Sequence, residues 1–114
     1  MNVPYKLKVF GSKSLVKISI SPLCDHALSV ERGNELDSLI DNYNTIVIDF
    51  SKNEVIRTLW LNCFNDMNFR ARREGKRVFF LKTNESILKK AEEIKILKYL
   101  KPYLIANIKE IGKI

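Results

Sequence analysis

A chain of 114 residues, 46% hydrophobic and 29% charged, has enough apolar residues for one hydrophobic core, and a single domain over 1–114 is expected. No apolar run approaches the ~20 residues of a membrane span, and the lysine-interleaved start Met1–Phe10 lacks a signal-peptide core, so the expected location is cytoplasmic. The net charge of +7 speaks to solubility first and admits an acidic protein, an anionic membrane surface or nucleic acid as partner.

Tyr5–Phe10 and Ser14–Ile20 are short β-rich segments joined by Gly11-Ser12-Lys13, the pattern of a hairpin. In the second, Val16, Ile18 and Ile20 share one face while Lys17 and Ser19 point the other way. Ser21-Pro22 ends that strand, and the linker through His26 is irregular. Gly33 weakens any helix begun at Ser29. Leu36, Leu39, Ile40 and Tyr43 have helical spacing, with Asn34 placed to cap and Asp37 favoured in the first turn. Ile46–Phe50 is short, continuous and β-branched, as a strand buried on both faces is.

The next helix is predicted over about Leu59–Glu74, with Gly75 as its stop. Arg77–Leu81 reads as another buried strand. A third helix starting at Asn84 or Ser86 carries Ile87, Leu88, Ala91, Ile94 and Leu97 until Pro102 breaks it. Tyr103–Ile108 reads as a last short strand, followed by a fraying helical turn. The order β-β-α-β-α-β-α-β predicts an α/β fold in which the strands at 46–50 and 77–81 are neighbours and parallel, Val47 or Ile48 lying near Val78. Sites in such sheets gather at the carboxyl ends of strands, which is where Ser51–Thr58 falls.

Enzyme constellations are missing from the sequence. Nucleophilic catalysis needs a nucleophile beside a base, and His26 is the one histidine, in an irregular linker. Neither G-x-G-x-x-G nor G-x-x-x-x-G-K-S/T occurs, and the aspartates are not grouped with histidine or cysteine, so no cofactor and no metal are expected. Asp49 is read as bonding the adjacent loop. Cys24 and Cys63 match no ligand spacing and are expected to be reduced thiols. Cys63, one turn into its helix, has a place where a thiol pKa can fall, but packing as a small apolar residue is the stronger reading. The basic clusters Arg70, Arg72, Arg73, Lys76, Arg77 and Lys89, Lys90, Lys95, Lys98, Lys101 raise nucleic-acid binding as the alternative function, although the first lacks interleaved aromatic residues for base stacking.

From Val47 to Gly75, "VIDFSKNEVIRTLWLNCFNDMNFRARREG" resembles the STAS domain of bacterial anti-sigma-factor antagonists and sulfate-transporter tails. That family reads roughly V-L-D-L-S-x-x-x-x-I-D-S-S-G-L, then a helix closing with R-x-x-G and a strand. Asp49, Ser51, Ile56, Leu61, Arg72 and Gly75 fall on the pattern without a gap. The resemblance implies a STAS-like mixed sheet with helices mainly on one side. It also implies a non-catalytic bacterial regulatory or adaptor module, whose partner is an anti-sigma factor with a kinase fold, a stress-signalling scaffold or a transporter ATPase.

Where the family has D-S-S-G, this chain has Arg57-Thr58-Leu59-Trp60. Thr58 falls on the serine that partner kinases phosphorylate. As N-cap its hydroxyl would contribute about 1 kcal/mol, and phosphorylated it would place about −2 charge at a helix start beside Arg57. For Trp60 the two lines of reasoning differ. Periodicity sets Trp60, Phe64, Met67 and Ala71 in one core stripe. The family alignment points Leu61, Phe64 and Asn68 at the sheet and turns Trp60, Cys63 and Met67 outward. The alignment is followed here, because the family has glycine at position 60 and a buried Trp needs new space. The expected partner-binding surface is then Ser51, Lys52, Asn53, Arg57, Thr58, Trp60, Cys63 and Met67, a patch that also suits a homodimer.

Overall fold

In a computed structural model, residues 5–10, 14–21 and 30–113 are described. Strand β1 (Tyr5–Phe10) pairs antiparallel with β2 (Leu15–Ile20), which confirms both arms of the hairpin; its turn at 11–13 lies outside the described residues. The alternation in β2 is the one its sequence dictates, with Val16, Ile18 and Ile20 buried and Lys17 and Ser19 on the other face.

Helix α1 (Val30–Asn42) leads to β3 (Thr45–Asp49), α2 (Thr58–Arg73) and β4 (Arg77–Leu81). Then come α3 (Glu85–Glu93), α4 (Leu97–Leu100), a 3-10 turn at Lys101–Tyr103, β5 (Leu104–Ile105) and a 3-10 helix at Ile108–Lys113. The sheet order is β1-β2-β3-β4-β5, with every pair after the first parallel. Ile46 stands opposite Val78, Val47 opposite Phe79 and Ile48 opposite Phe80, the adjacency expected of the two buried strands.

All five residues of β3 are buried. Ile46 and Ile48 join one cluster with Val78, Phe80 and the apolar faces of α1 to α4; Val47 joins a smaller cluster with Phe79, Leu81, Ile105 and Ile111. The four α-helices therefore cover one side of the sheet, and the C-terminal 3-10 helix covers part of the other.

Besides shifts of one residue, as at β3 and α2, three boundaries differ from expectation. Helix α1 already includes Gly33 and Asn34, so Asn34 is an interior residue and not a cap. Burial of Leu36, Leu39 and Ile40 outweighs the ~1 kcal/mol that a helical glycine costs. The predicted third helix is two helices. Lys95 turns to φ 65°, its N–H donates to the Glu92 carbonyl (3.0 Å), and the Ile96 N–H donates to that of Ala91 (2.9 Å). This is a Schellman stop with lysine in the usual glycine place. The last strand is only Leu104–Ile105, because the Glu110 carboxylate accepts from the N–H groups of Ala106 and Asn107 and folds the chain away from the sheet. The end beyond it is packed at Ile111, which is buried, where fraying was expected.

Gly75 closes α2 by the same motif as Lys95 closes α3, at φ 73°, with Lys76 N–H donating to the Ala71 carbonyl and Gly75 N–H to that of Arg72. A Cβ at Gly75 would meet open space, so only backbone strain opposes a side chain there. Gly75→Ala is expected to lower stability by about 1 kcal/mol, and Lys95→Gly to raise it by about 0.5 kcal/mol, in urea unfolding.

Candidate functional site

The loop from Phe50 to Arg57 leaves the carboxyl end of β3 and is pinned from both sides. The Asp49 carboxylate accepts from the Ser51 N–H (2.9 Å) and lies 3.6 Å from the Lys17 ammonium, the loop-bonding role expected of it. Asn53 is buried. Its amide donates to the Ser21 carbonyl (3.3 Å), and its own carbonyl accepts from the Asn84 amide (2.6 Å). Asn84 in turn caps α3, its side-chain oxygen accepting from the Ile87 N–H at 3.0 Å. One asparagine thus ties the candidate loop to the next helix start, and Asn53 is an anchor of the loop, not part of its exposed face.

Ser51 and Lys52 are exposed. They line a cleft of about 470 Å³ together with Lys17, Asp49, Lys82 and Asn107, on the sheet side away from α1 to α4. Arg57 is exposed and Thr58 half-buried. The N-cap of α2 is Arg57, with no side-chain cap hydrogen bond, and Thr58 is the first helical residue. Thr58 is therefore not the cap that was expected, because the helix begins one residue earlier than its apolar spacing suggested.

The outward patch of Trp60, Cys63 and Met67 is overturned. Trp60 is 1% exposed and packs against Phe64 with ring centroids 6.0 Å apart; Met67 is buried as well. Both rival stripes are inside, because the buried arc of α2 takes in Trp60, Leu61, Phe64, Met67, Asn68 and Ala71 together. Asn68, an awkward core residue by type, is satisfied there. Its amide donates to the Tyr99 carbonyl (3.2 Å) and its oxygen accepts from Arg72 Nε (2.9 Å), while the Arg72 guanidinium lies over the Tyr103 ring. Cys63 is half-buried, and burial, followed by Asp66 and Asp37, pushes its thiol up to about 11, against the lowered pKa a helix start can produce. Cys24 and His26 lie outside the described residues.

Near its start α2 instead turns Leu59 outward, 56% exposed, and the loop before it presents Val55 at 70%; Phe69, farther along α2, is exposed against Tyr99. These two apolar side chains flank Arg57 and Thr58 in sequence, and the sequence reading missed both. The signal was available for Leu59, which lies about 100° round the helix from Trp60, outside the Trp60–Phe64–Met67 stripe. Val55 carried none, since a lone valine in a loop has no periodicity.

The first basic cluster is largely spent on the fold. Arg70 pairs with Asp37, Asp41 and Glu74, and Lys76 donates to the Ile40 carbonyl. Arg72 donates to the Val78 carbonyl, and Arg77 lies over the Phe79 ring. Among the described residues no helix is long and apolar enough to cross a membrane.

No family model and no curated protein matches the sequence. Solved structures do. The anti-sigma factor antagonist SpoIIAA in its unphosphorylated form superposes with a TM-score of 0.72 at 14% identity, over 94% of this chain and 91% of that one. The phosphorylated form of SpoIIAA, a Bacillus cell fate determinant, gives 0.63 at 13% identity over 96% of each chain. The protein TM1081 gives 0.69 at 17% identity, over 96% of this chain and 85% of that one. The chain has the STAS-like fold that its Val47–Gly75 segment resembles.

Two measurements check this geometry. Trp60→Ala should cost about 3–5 kcal/mol in urea unfolding, as loss of a core Trp does, whereas Thr58→Ala should stay within about 0.5 kcal/mol because no cap is removed. At pH 8 the thiolate fraction of Cys63 is small, so iodoacetamide should alkylate it about 100-fold or more slowly than the unfolded chain's thiol, the rate climbing as pH rises toward 11.

Proposed function

We propose that the chain is a non-catalytic bacterial regulatory module that works in the cytoplasm by protein–protein contact through the β3–α2 loop and the start of α2. The observation that carries this reading is the pair Val55 and Leu59, exposed on the loop and at the start of α2 just after it, with the loop held in place by Asn53 and Asn84. Pinning lowers the ordering cost of binding, and two exposed aliphatic side chains beside polar neighbours have the make-up of an interface centre with its rim. Ser51, Lys52, Arg57 and Thr58 supply that rim. Trp60 and Met67 support it from inside and do not meet the partner, and Cys63 is half-buried beside them.

Thr58 is the phosphorylation candidate. Its place at the first position of a sixteen-residue helix favours a dianionic group, since the free N–H groups and the dipole point there, and Arg57 adds a positive charge alongside. The same charge, set between Val55 and Leu59, would oppose an apolar contact. Phosphorylation would then release the partner. The fold neighbour SpoIIAA exists in phosphorylated and unphosphorylated forms, which supports the switch by likeness. The partner on this reading is an anti-sigma factor with a kinase fold, a stress-signalling scaffold or a transporter ATPase.

Capture from the native cell tests the reading. Val55→Asp with Leu59→Asp should leave stability within about 0.5 kcal/mol, as exposed substitutions do, and cost about 2 kcal/mol or more of partner binding. Intact-protein mass spectrometry should show a phosphate that Thr58→Ala removes. Unchanged capture by the double variant would sink the interface. Binding that instead collapsed steeply between low and high salt would point to nucleic acid.

A further inference from the structure

We propose that the outer edge of β1 is a second docking site, which takes an extended partner segment alternating acidic and branched apolar residues as a sixth strand of the sheet. The site is distinct from the β3–α2 loop and does not depend on the reading given for it.

Strand β1 is the end of the sheet order, so one row of its N–H and C=O groups has no strand partner among the described residues. Its register with β2 is one-to-one over six residues, without a bulge, and it contains no proline. Bulges and prolines commonly blunt an edge, and β1 has neither; its guard is charge, since Lys6 and Lys8 oppose neutral and basic strands but admit an acidic one. Its two faces differ sharply. Leu7 and Val9 stand opposite Ile18 and Val16 on the helix side, yet they are 47% and 45% exposed while their partners in β2 are fully buried. Lys6 and Lys8 stand opposite Ser19 and Lys17 on the other side, and both are exposed.

The charges select the occupant. Lys8 faces Lys17 directly, a like-charge pair that opposes β-pairing, and Lys17 already has Asp49 at 3.6 Å on its inner side. A carboxylate on a new outer strand would meet Lys8, which faces Lys17 and whose ammonium otherwise has the Phe10 ring, 5.1 Å to its centroid, as its attractive neighbour among the described residues. Residues two apart on a strand share a face, so acids at alternate positions reach Lys6 and Lys8 together, and the intervening apolar residues cover Leu7 and Val9. A second copy of this chain fits badly. Antiparallel self-pairing sets same-face residues against each other, so the lysines of one β1 would oppose those of the other.

The probe is a labelled eight-residue peptide alternating Glu and Val, offered to the full chain at low salt. Saturable binding is expected, with slowed hydrogen exchange at β1 amides. Lys6→Glu with Lys8→Glu should weaken it about tenfold or more, and that same variant should take up a peptide alternating Lys and Val, a gain that a misfolded variant could not show. N-methylation of alternate peptide amides should abolish binding. The proposal is overturned by the absence of saturable binding, by equal binding of the N-methylated peptide, by a double variant that keeps its preference for the Glu peptide, or by β1 protection that arises from self-association without peptide.

Discussion

Burial of Thr45–Asp49 on both faces is the constraint from which the rest of the molecule follows. A strand with Ile46 and Ile48 on one side and Val47 on the other cannot leave either side wet. Parallel pairing to both neighbours forces the connecting chain to cross over the sheet, so the helices that cover Ile46 and Ile48 are produced by the same topology that places the strand. Val47 is covered differently. Phe79, Leu81 and Ile105 flank it, and the C-terminal 3-10 helix lays Ile111 against them. Ile111 is thus part of the core.

That constraint also makes the candidate loop rigid. Because β3 ends at Asp49 inside the sheet, its carboxylate must find partners, and it finds the Ser51 N–H and the Lys17 ammonium. Phe50, still buried, sits edge-on to Phe64 of α2 and stacked with Phe80 of β4, which carries the core to the base of the loop. Asn53 and Asn84 then join the β3–α2 and β4–α3 connections. The loop's order comes from the hydrogen bonds of the Asp49 carboxylate, the Asn53 amide N–H and backbone carbonyl, and the Asn84 side chain.

Helix α2 shows how charge and packing divide one element. Its inner arc is apolar except for Asn65 and Asn68, and the bonds of Asn68 to Arg72 and Tyr99 link α2 to the chain beyond α3. Its last turn carries Arg70, Arg72 and Arg73, which suits the negative end of the helix dipole. Arg70 reaches across to Asp37 and Asp41 of α1, so much of a cluster that looks like a polyanion site in the sequence instead clamps two helices together. Burial pulls the Arg72 pKa below its ordinary value for the same reason that the residue is there: it has traded water for a ring, an amide and a carbonyl.

The order of elements, the parallel neighbours and the position of the loop were legible in the sequence. Each depends on local patterns: alternation in Val16–Ile20, an unbroken apolar run at Ile46–Phe50, and Gly75 after a helical stripe. The rotation and width of the buried arc on α2 were not. Helical spacing marks a stripe through Trp60, Phe64 and Met67, and the family resemblance one through Leu61, Phe64 and Asn68, but how much of the helix is covered depends on what α1, α4 and the sheet place against its flanks. The break at Lys95 escaped for a related reason. A left-handed lysine has no sequence marker, and it is held by the burial of Ile96 and Leu100 on the far side of the turn. Periodicity determines which residues can share a face; only the tertiary neighbours decide which faces are dry, and so moved the candidate contact surface from Trp60 to Val55 and Leu59.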